Sequence, residues 1–236
     1  MWITPLPPSL AALGEGSHGS ILNGNYASNR LSSAWKPTES GLIDQIGEWV
    51  LRAACGEATK WPSDISVSVN LSTRQLADEG LVDTIVSALM DTGLDHRRLE
   101  LEVTESALLQ EANLPVLKAI QDLGISLSLD DFGTGYSSLS YLQRFQFNKL
   151  KIDRSFIMDV TENAKSKAIV SAVVELARTL GMSVTAEGVE TPAQFDWVAR
   201  RCDQVQGYFV SKPMSASDAA AYLVGESKGN RSWDQG

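Results

Sequence analysis

A barrel of parallel strands alternating with helices is the fold class this chain predicts, and three observations predict it. Six short runs alternate apolar with polar residues at a period of two. Helix-periodic segments lie between them. The polar groups gather at the C-terminal end of each run, where such a barrel places its active site. A length of 236 residues suits one such domain, and no linker interrupts residues 41–225.

The strands come in order. Residues 65–70 alternate Ser with Ile or Val and end in the amide of Asn70. Residues 99–105 alternate Leu with Glu and end in carboxylates, Glu102 and Glu105. Residues 126–131 alternate Ser with Leu and end in two adjacent acids, Asp130 and Asp131. Residues 149–153 place Lys151 and Asp153 at a strand end, residues 182–187 end in Glu187, and residues 204–206 end in Gln206 before Gly207. Between them, apolar residues recur at helical spacing over residues 42–60, 81–93, 114–123, 164–180, 192–199 and 215–224. Ser72 and Thr191 stand where helix caps belong, Gly93, Gly124 and Gly181 stand at helix ends, and Ser215 with Asp218 has capping-box spacing.

A closed barrel of this kind needs about eight strands, and six are readable. The missing pair falls to residues 1–40, which hold four of the chain's eight Pro, together with four Gly, seven Ser and three Asn. That composition predicts irregular or disordered chain, compatible at most with a short strand near Ser20, Ile21 and Leu22. The expected organisation is an irregular leader over residues 1–37, a barrel over 38–225 and a disordered tail over 226–236.

The net charge of −9 argues against a nucleic-acid polymer as partner. Cys55 and Cys202 make neither a disulfide framework nor a zinc ligand set. No apolar run approaches the roughly 18 residues of a transmembrane helix, and the N-terminus lacks a basic n-region. The expectation is a reduced, cytoplasmic protein with no membrane segment of its own.

Taken singly, the strand-end residues have bland readings. Asn70 could cap the next helix, Glu102 could face solvent, and Lys151 with Asp153 could be a solvated charge cluster. Taken together they gather oxygen ligands without His or Cys, a donor set that suits Mg²⁺, Mn²⁺ or Ca²⁺ better than zinc. Adjacent acids at a strand end repel unless a cation offsets them. The pattern predicts a two-metal site for hydrolysing a phosphate ester, with Lys151 as a fixed positive charge.

The same residues resemble a family. Eight stretches match, in family order over residues 38–214, the EAL-domain cyclic-di-GMP phosphodiesterases of bacterial signalling. They include Ser-Val-Asn-Leu-Ser at 68–72, Leu-Glu-Leu-Glu-Val-Thr-Glu-Ser at 99–106, Asp-Asp-Phe-Gly-Thr-Gly-Tyr-Ser-Ser at 130–138, Leu-Lys-Ile-Asp-Arg-Ser-Phe at 150–156 and Ala-Glu-Gly-Val-Glu-Thr at 186–191. The resemblance implies a modified TIM barrel that hydrolyses cyclic di-GMP to pGpG with Mg²⁺ or Mn²⁺. It implies Asn70, Glu102, Asp130, Asp131 and Glu187 as metal ligands, with Lys151 and Glu187 catalytic and Gln206 closing the site. It also implies Glu105 as the anchor of the loop formed by Phe132, Gly133, Thr134, Gly135, Tyr136, Ser137 and Ser138. That loop region would pair two copies into a homodimer, and a regulatory domain would lie N-terminal to the barrel, lost from this chain or separate from it.

The chain departs from the pattern at its start. The Glu-Ala-Leu motif should lie on a strand about 25 residues before Gly41. The only acids in that region are Glu15, with no strand around it, and Glu39, which matches a later motif. Gln146 and Asn148 replace the usual Pro and Asp. Three readings stay open on sequence: a phosphodiesterase, slowed by the missing ligand; an inactive module that binds cyclic di-GMP or a partner; and a truncated product with open strand edges.

Overall fold

The strands form because branched and aliphatic residues alternate with polar ones, and they close because each finds a neighbour on both sides. A computed structural model describes residues 2–5, 21–23, 42–133, 142 and 145–227. In chain order the elements are β1 (Trp2–Pro5), β2 (Ile21–Asn23), α1 (Leu42–Ala58), β3 (Ser66–Leu71), α2 (Thr73–Leu76), α3 (Leu81–Thr92), β4 (Leu99–Thr104), α4 (Glu105–Leu108) and α5 (Leu114–Asp122). They continue with β5 (Ser126–Phe132), β6 (Lys149–Ile152), α6 (Arg154–Ile157), α7 (Ala164–Thr179), β7 (Ser183–Glu187), α8 (Pro192–Val198), β8 (Gln204–Gln206) and α9 (Ala216–Ser227).

The sheet is a closed barrel in the order β1 to β8. The six strands legible in the sequence, β3 to β8, run parallel to one another. β2 lies where the sequence left room for a short strand, and β1 corrects the expectation that residues 1–40 cannot supply the missing pair. β2 pairs parallel with β3, Ile21 opposite Ser66 and Asn23 opposite Ser68. β1 pairs antiparallel with both β2 and β8. Runs of four and three residues are too short to carry a periodicity, so only pairing with neighbours reveals them.

The outward residues make the core. Val67, Val69, Leu99, Leu101, Leu127, Leu129, Leu150, Val184 and Val205 are buried against the helices, with Ile85, Leu117, Ile120 and Val170 among their partners. The helix ends follow the sequence signals. Ser72 and Gln75 close a capping box before α2, Thr191 and Gln194 close one before α8, and Gly93 ends α3 at φ +73°. Asn148 accepts from the Leu127 N–H at 2.9 Å through its side-chain oxygen. Asp203 does the same for the Val184 N–H at 2.8 Å before β8. Among the described residues, no helix is long and apolar enough to cross a membrane.

The barrel interior is polar rather than apolar. Ser68, Glu100, Glu102, Ser128, Asp130, Lys149, Lys151, Thr185, Glu187, Gln204 and Gln206 are all buried. They occupy the other half of each alternation, so both faces of the sheet are buried and only one is hydrophobic.

Candidate functional site

Lys151 is the centre of the site. Its side chain is 1 % exposed, and its Nζ lies 2.8 Å from Glu102 Oε2, 3.1 Å from Asp130 Oδ1 and 2.6 Å from Glu187 Oε1. These four residues come from β4, β5, β6 and β7, so the ends of four consecutive parallel strands converge on one ammonium. Asn70 joins them in register, opposite Glu102 on the neighbouring strand. Gln206 is opposite Glu187 in the same way.

Adjacent residues on a strand point to opposite faces, yet Asp130 and Asp131 bring their carboxylates into one cluster. A break in register between Leu129 and Phe132 explains how. β5 bulges there, and Asp131 takes a left-handed backbone with φ +58°, alone among the described non-glycine residues. Bulges re-aim side chains beside active sites, and Asp tolerates the left-handed region better than most residues. The result is that carboxylate oxygens of Asp130, Asp131 and Glu187 lie within 4.8 Å of one another.

The electrostatics follow from burial. Burial, against the pull of Lys151 and with Asp130 and Glu102 adding to it, raises the Glu187 carboxyl to about 7. Glu102 is raised by the same burial, against Lys151 and with Asp130 and Glu100. Asp131 is raised by partial burial and then by its neighbour Asp130. Burial alone would lower Lys151, but Glu102, Glu187 and Asp130 outweigh it and hold the ammonium well above the ordinary lysine value. One fixed cation faces more negative charge than it offsets. The donor set is all oxygen, so the cluster could hold a metal ion, and a hard divalent cation fits it best.

Two further sequence expectations have a place in the geometry. Glu105, buried at the start of α4, accepts from the Gly133 N–H at 3.1 Å through Oε2. A side chain at Gly133 would press on the Phe156 ring, and its φ of +93° favours glycine. Thr134, Gly135, Tyr136, Ser137 and Ser138 lie outside the described residues, as does the Glu39 helix entry. Gln206 is fully buried, and among the described residues both its side-chain amide atoms lack a hydrogen-bond partner. Buried amides without partners are expensive, so these atoms are poised for a ligand or water.

A second polar layer beneath the site escaped the sequence reading. Lys149 Nζ lies 2.6 Å from Glu100 Oε2, and Ser68 Oγ donates to Glu100 Oε1 at 3.0 Å, all three buried. Thr185 Oγ1 donates to Gln204 Oε1 at 3.1 Å on the far side. The signal was there, since Glu100 and Lys149 share the alternation of Glu102 and Lys151. Nothing singled them out, because strand periodicity does not say whether a polar face looks outward or into a closed barrel.

The family model described as the EAL domain matches residues 29–213. The Sinorhizobium fredii protein y4lL is 51 % identical over 193 residues, covering 80 % of this chain and 23 % of that protein. The bifunctional diguanylate cyclase/cyclic di-GMP phosphodiesterase MucR of Pseudomonas aeruginosa is 45 % identical over 193 residues, covering 79 % of this chain and 28 % of MucR. The chain thus spans about a quarter of the length of the curated relatives it matches. Among solved structures, the MucR phosphodiesterase in complex with c-di-GMP superposes with a TM-score of 0.73 at 41 % identity, covering 87 % of this chain and 83 % of that one. The EAL domain of Mycobacterium smegmatis DcpA gives 0.72 at 36 % identity, with coverage of 77 % and 85 %. The match spans the strands that carry Asn70, Glu102, Asp130, Lys151, Glu187 and Gln206, and by it this chain belongs to the EAL domain family.

Proposed function

We propose that this barrel binds divalent cations, Mg²⁺ or Mn²⁺, together with cyclic di-GMP, and hydrolyses the dinucleotide to pGpG more slowly than a family member with an intact Glu-Ala-Leu strand. The observation that carries the reading is the excess of carboxylate around Lys151. Glu102, Asp130 and Glu187 share one ammonium at 2.6–3.1 Å inside the barrel. Asn70, Glu102, Asp130, Asp131 and Glu187 are the residues that would hold the ions. The chemistry such ions supply is charge stabilisation at the phosphoryl oxygens and a water-derived nucleophile at neutral pH.

The chain's own groups do the rest. Lys151 keeps a positive charge fixed under the carboxylates at any physiological pH. Glu187, held at about 7, is suited to hold or release a proton at its carboxylate near neutrality. Gln206 offers an unpaired donor and acceptor inside the site. The neutral or cationic groups matter because the chain carries a net charge of −9 and the substrate is anionic. A cytoplasmic location and pairing of two copies through the loop at 132–138 belong to the same proposal.

A second reading, a module that binds cyclic di-GMP without turnover, is favoured by one observation. β2 reads Ile-Leu-Asn and carries no carboxylate opposite β3.

The test uses purified residues 1–236. Folded Glu187 keeps a proton that an unfolded chain, at the ordinary value of 4.5, has released. Metal-free stability should therefore fall as pH rises from about 4.5 to about 7 and then level off. Mn²⁺ needs the carboxylate, so the rise in Tm that it gives should be larger at pH 8 than at pH 6. Cyclic di-GMP should bind in the presence of Mn²⁺, and slow pGpG formation should follow by chromatography. Binding with no product would establish the second reading, and no Mn²⁺ effect at either pH would end both.

The anchor role of Glu105 is tested apart. Glu105→Ala removes the acceptor for the Gly133 N–H beside Asp130 and Asp131. Mn²⁺-dependent turnover should fall by roughly 10- to 100-fold, the usual cost of losing a group that orients metal ligands. Tm should move by only a few degrees. An unchanged rate removes the anchor role.

A further inference from the structure

We infer that Gln194 is a positioning residue: it locks the turn after Glu187 onto the β6–α6 unit that carries Lys151. The inference rests on the metal-site reading above. Glu187 stands in an unusual place in the sheet. The β6–β7 ladder ends where Ile152 pairs with Ala186. Glu187 itself pairs only on its other side, with Gln206 of β8. Nothing in the ladder therefore fixes the Glu187 turn against β6, although its carboxylate must stay 2.6 Å from Lys151 of that strand.

On the β8 side the turn is well held. The Val189 N–H donates to the Gln206 carbonyl at 3.1 Å, and the Phe209 N–H donates to the Val189 carbonyl at 3.0 Å. A side chain at Gly207 would collide with the Val189 backbone, so glycine permits this close approach. On the β6 side, besides the Lys151–Glu187 pair itself and the packing of Gly188 on the Arg154 side chain, the described residues supply two polar ties. The Arg154 guanidinium lies 2.9 Å from Glu190 Oε1, but both side chains are more than a third exposed. Such pairs hold weakly. The second tie is Gln194. Its side-chain oxygen accepts from the Glu190 N–H at 2.8 Å and the Thr191 N–H at 3.0 Å. Its Nε2 donates to the Met158 carbonyl at 2.9 Å, at the end of α6.

Gln194 is 6 % exposed, so its amide is largely shielded from water, and losing a bond on it costs more than losing one at the surface. The side chain spans 36 residues of sequence to join two neighbouring strand–helix units. A plain capping role explains its oxygen, since Thr191 and Gln194 form the capping box of α8. It does not explain the amide nitrogen, which leaves the helix and reaches the unit beneath Lys151. The geometry makes Glu187 the ligand whose place depends on a residue seven positions away.

The experiment separates the two halves of the amide. Gln194→Glu keeps an acceptor for the cap and removes only the donor to Met158. It also adds negative charge, which by itself favours cations, so a loss of metal affinity cannot come from charge. Thr191→Ala does the reverse, removing half of the cap and keeping the tie. Three quantities are read: hydrogen exchange of the peptide covering residues 187–191 without metal, the Mn²⁺ dissociation constant by calorimetry, and Tm. Gln194→Glu is expected to speed exchange at 187–191 about 10-fold and to weaken Mn²⁺ binding at least about 10-fold, with Tm lower by a few degrees from the lost hydrogen bond. Thr191→Ala is expected to lower Tm and leave the Mn²⁺ constant where it was. Wild-type exchange and Mn²⁺ affinity in Gln194→Glu would overturn the inference, as would an equal loss of affinity in both variants. If the wild-type chain binds no Mn²⁺, the metal-site reading fails, and the exchange comparison decides the tie alone.

Discussion

Replacing residues 1–40 with a strand that carries Glu-Ala-Leu in register with β3 should raise the rate of cyclic-di-GMP hydrolysis at least about 100-fold, the scale expected for restoring a direct metal ligand. The argument begins with β2. Its described residues are Ile21, Leu22 and Asn23, and Asn23 lies opposite Ser68, two residues before Asn70. The next strand over, β4, brings Glu102 opposite Asn70. Going round the barrel, β4, β5 and β7 each deliver a carboxylate to Lys151, while β2 delivers none. The described residues of β2 thus offer a cation beside β3 no acid, and its occupancy should be low. The graft adds that acid without touching any residue from Gly41 onward. It should also lower the Mn²⁺ concentration for half-maximal activity. Both proteins should be followed side by side by pGpG chromatography in excess Mn²⁺. Equal rates would show that residues 1–40 already complete the site, and that the leader is not the source of any deficit.

The strands and their site were legible for one physical reason. Each of the six parallel strands puts every second residue into the barrel, so a single alternation encodes both the core and the chemistry. Glu102, Asp130, Lys151 and Glu187 stand at the ends of their runs, which is what makes them conspicuous. Glu100 and Lys149 are as buried as those residues and stayed invisible, because mid-strand charges look the same in an open sheet and a closed barrel. Closure depends on β1 and β2, two fragments whose pairing is set by β3 and β8 and not by their own pattern. The shared site of Asp130 and Asp131 needed a bulge, which no period can announce. Thr191 was legible as a helix start, but the tie from Gln194 was not, since the Met158 carbonyl is 36 residues away. Local signals carry caps and strands; ties between units appear only once the chain is closed.

Lys151→Met should be the most disruptive single change in the barrel, and its effect should depend on metal. Lys151 is 1 % exposed, and methionine matches its stem in length while removing the charge. Glu102, Asp130 and Glu187 then share a buried space with no cation. Removing one partner of a buried ion pair costs about 3–5 kcal/mol, because the other charge is left uncompensated. At about 2–4 °C per kcal/mol for a domain of this size, metal-free Tm should drop on the order of 10 °C. The carboxylates have one way to relieve the cost, which is to take up protons. Glu187, already at about 7, should move higher, so the variant should recover stability as pH falls toward 5. They have a second way if the cluster binds cations. Mn²⁺ should then raise the Tm of Lys151→Met by more than it raises that of the wild type, because the ion replaces a charge the fold has lost. Turnover should remain at least about 100-fold below wild type even when metal is saturating, since Lys151 holds its charge in a geometry preset by the fold, and a substitute cation need not reproduce that geometry. Thermal melts at pH 5.5 and 8, with and without Mn²⁺, together with pGpG assays, read all of these effects. A metal-free Tm equal to wild type at pH 8 would show that the three carboxylates are neutral in the folded protein, and the ion-pair account of the barrel centre would fall with it.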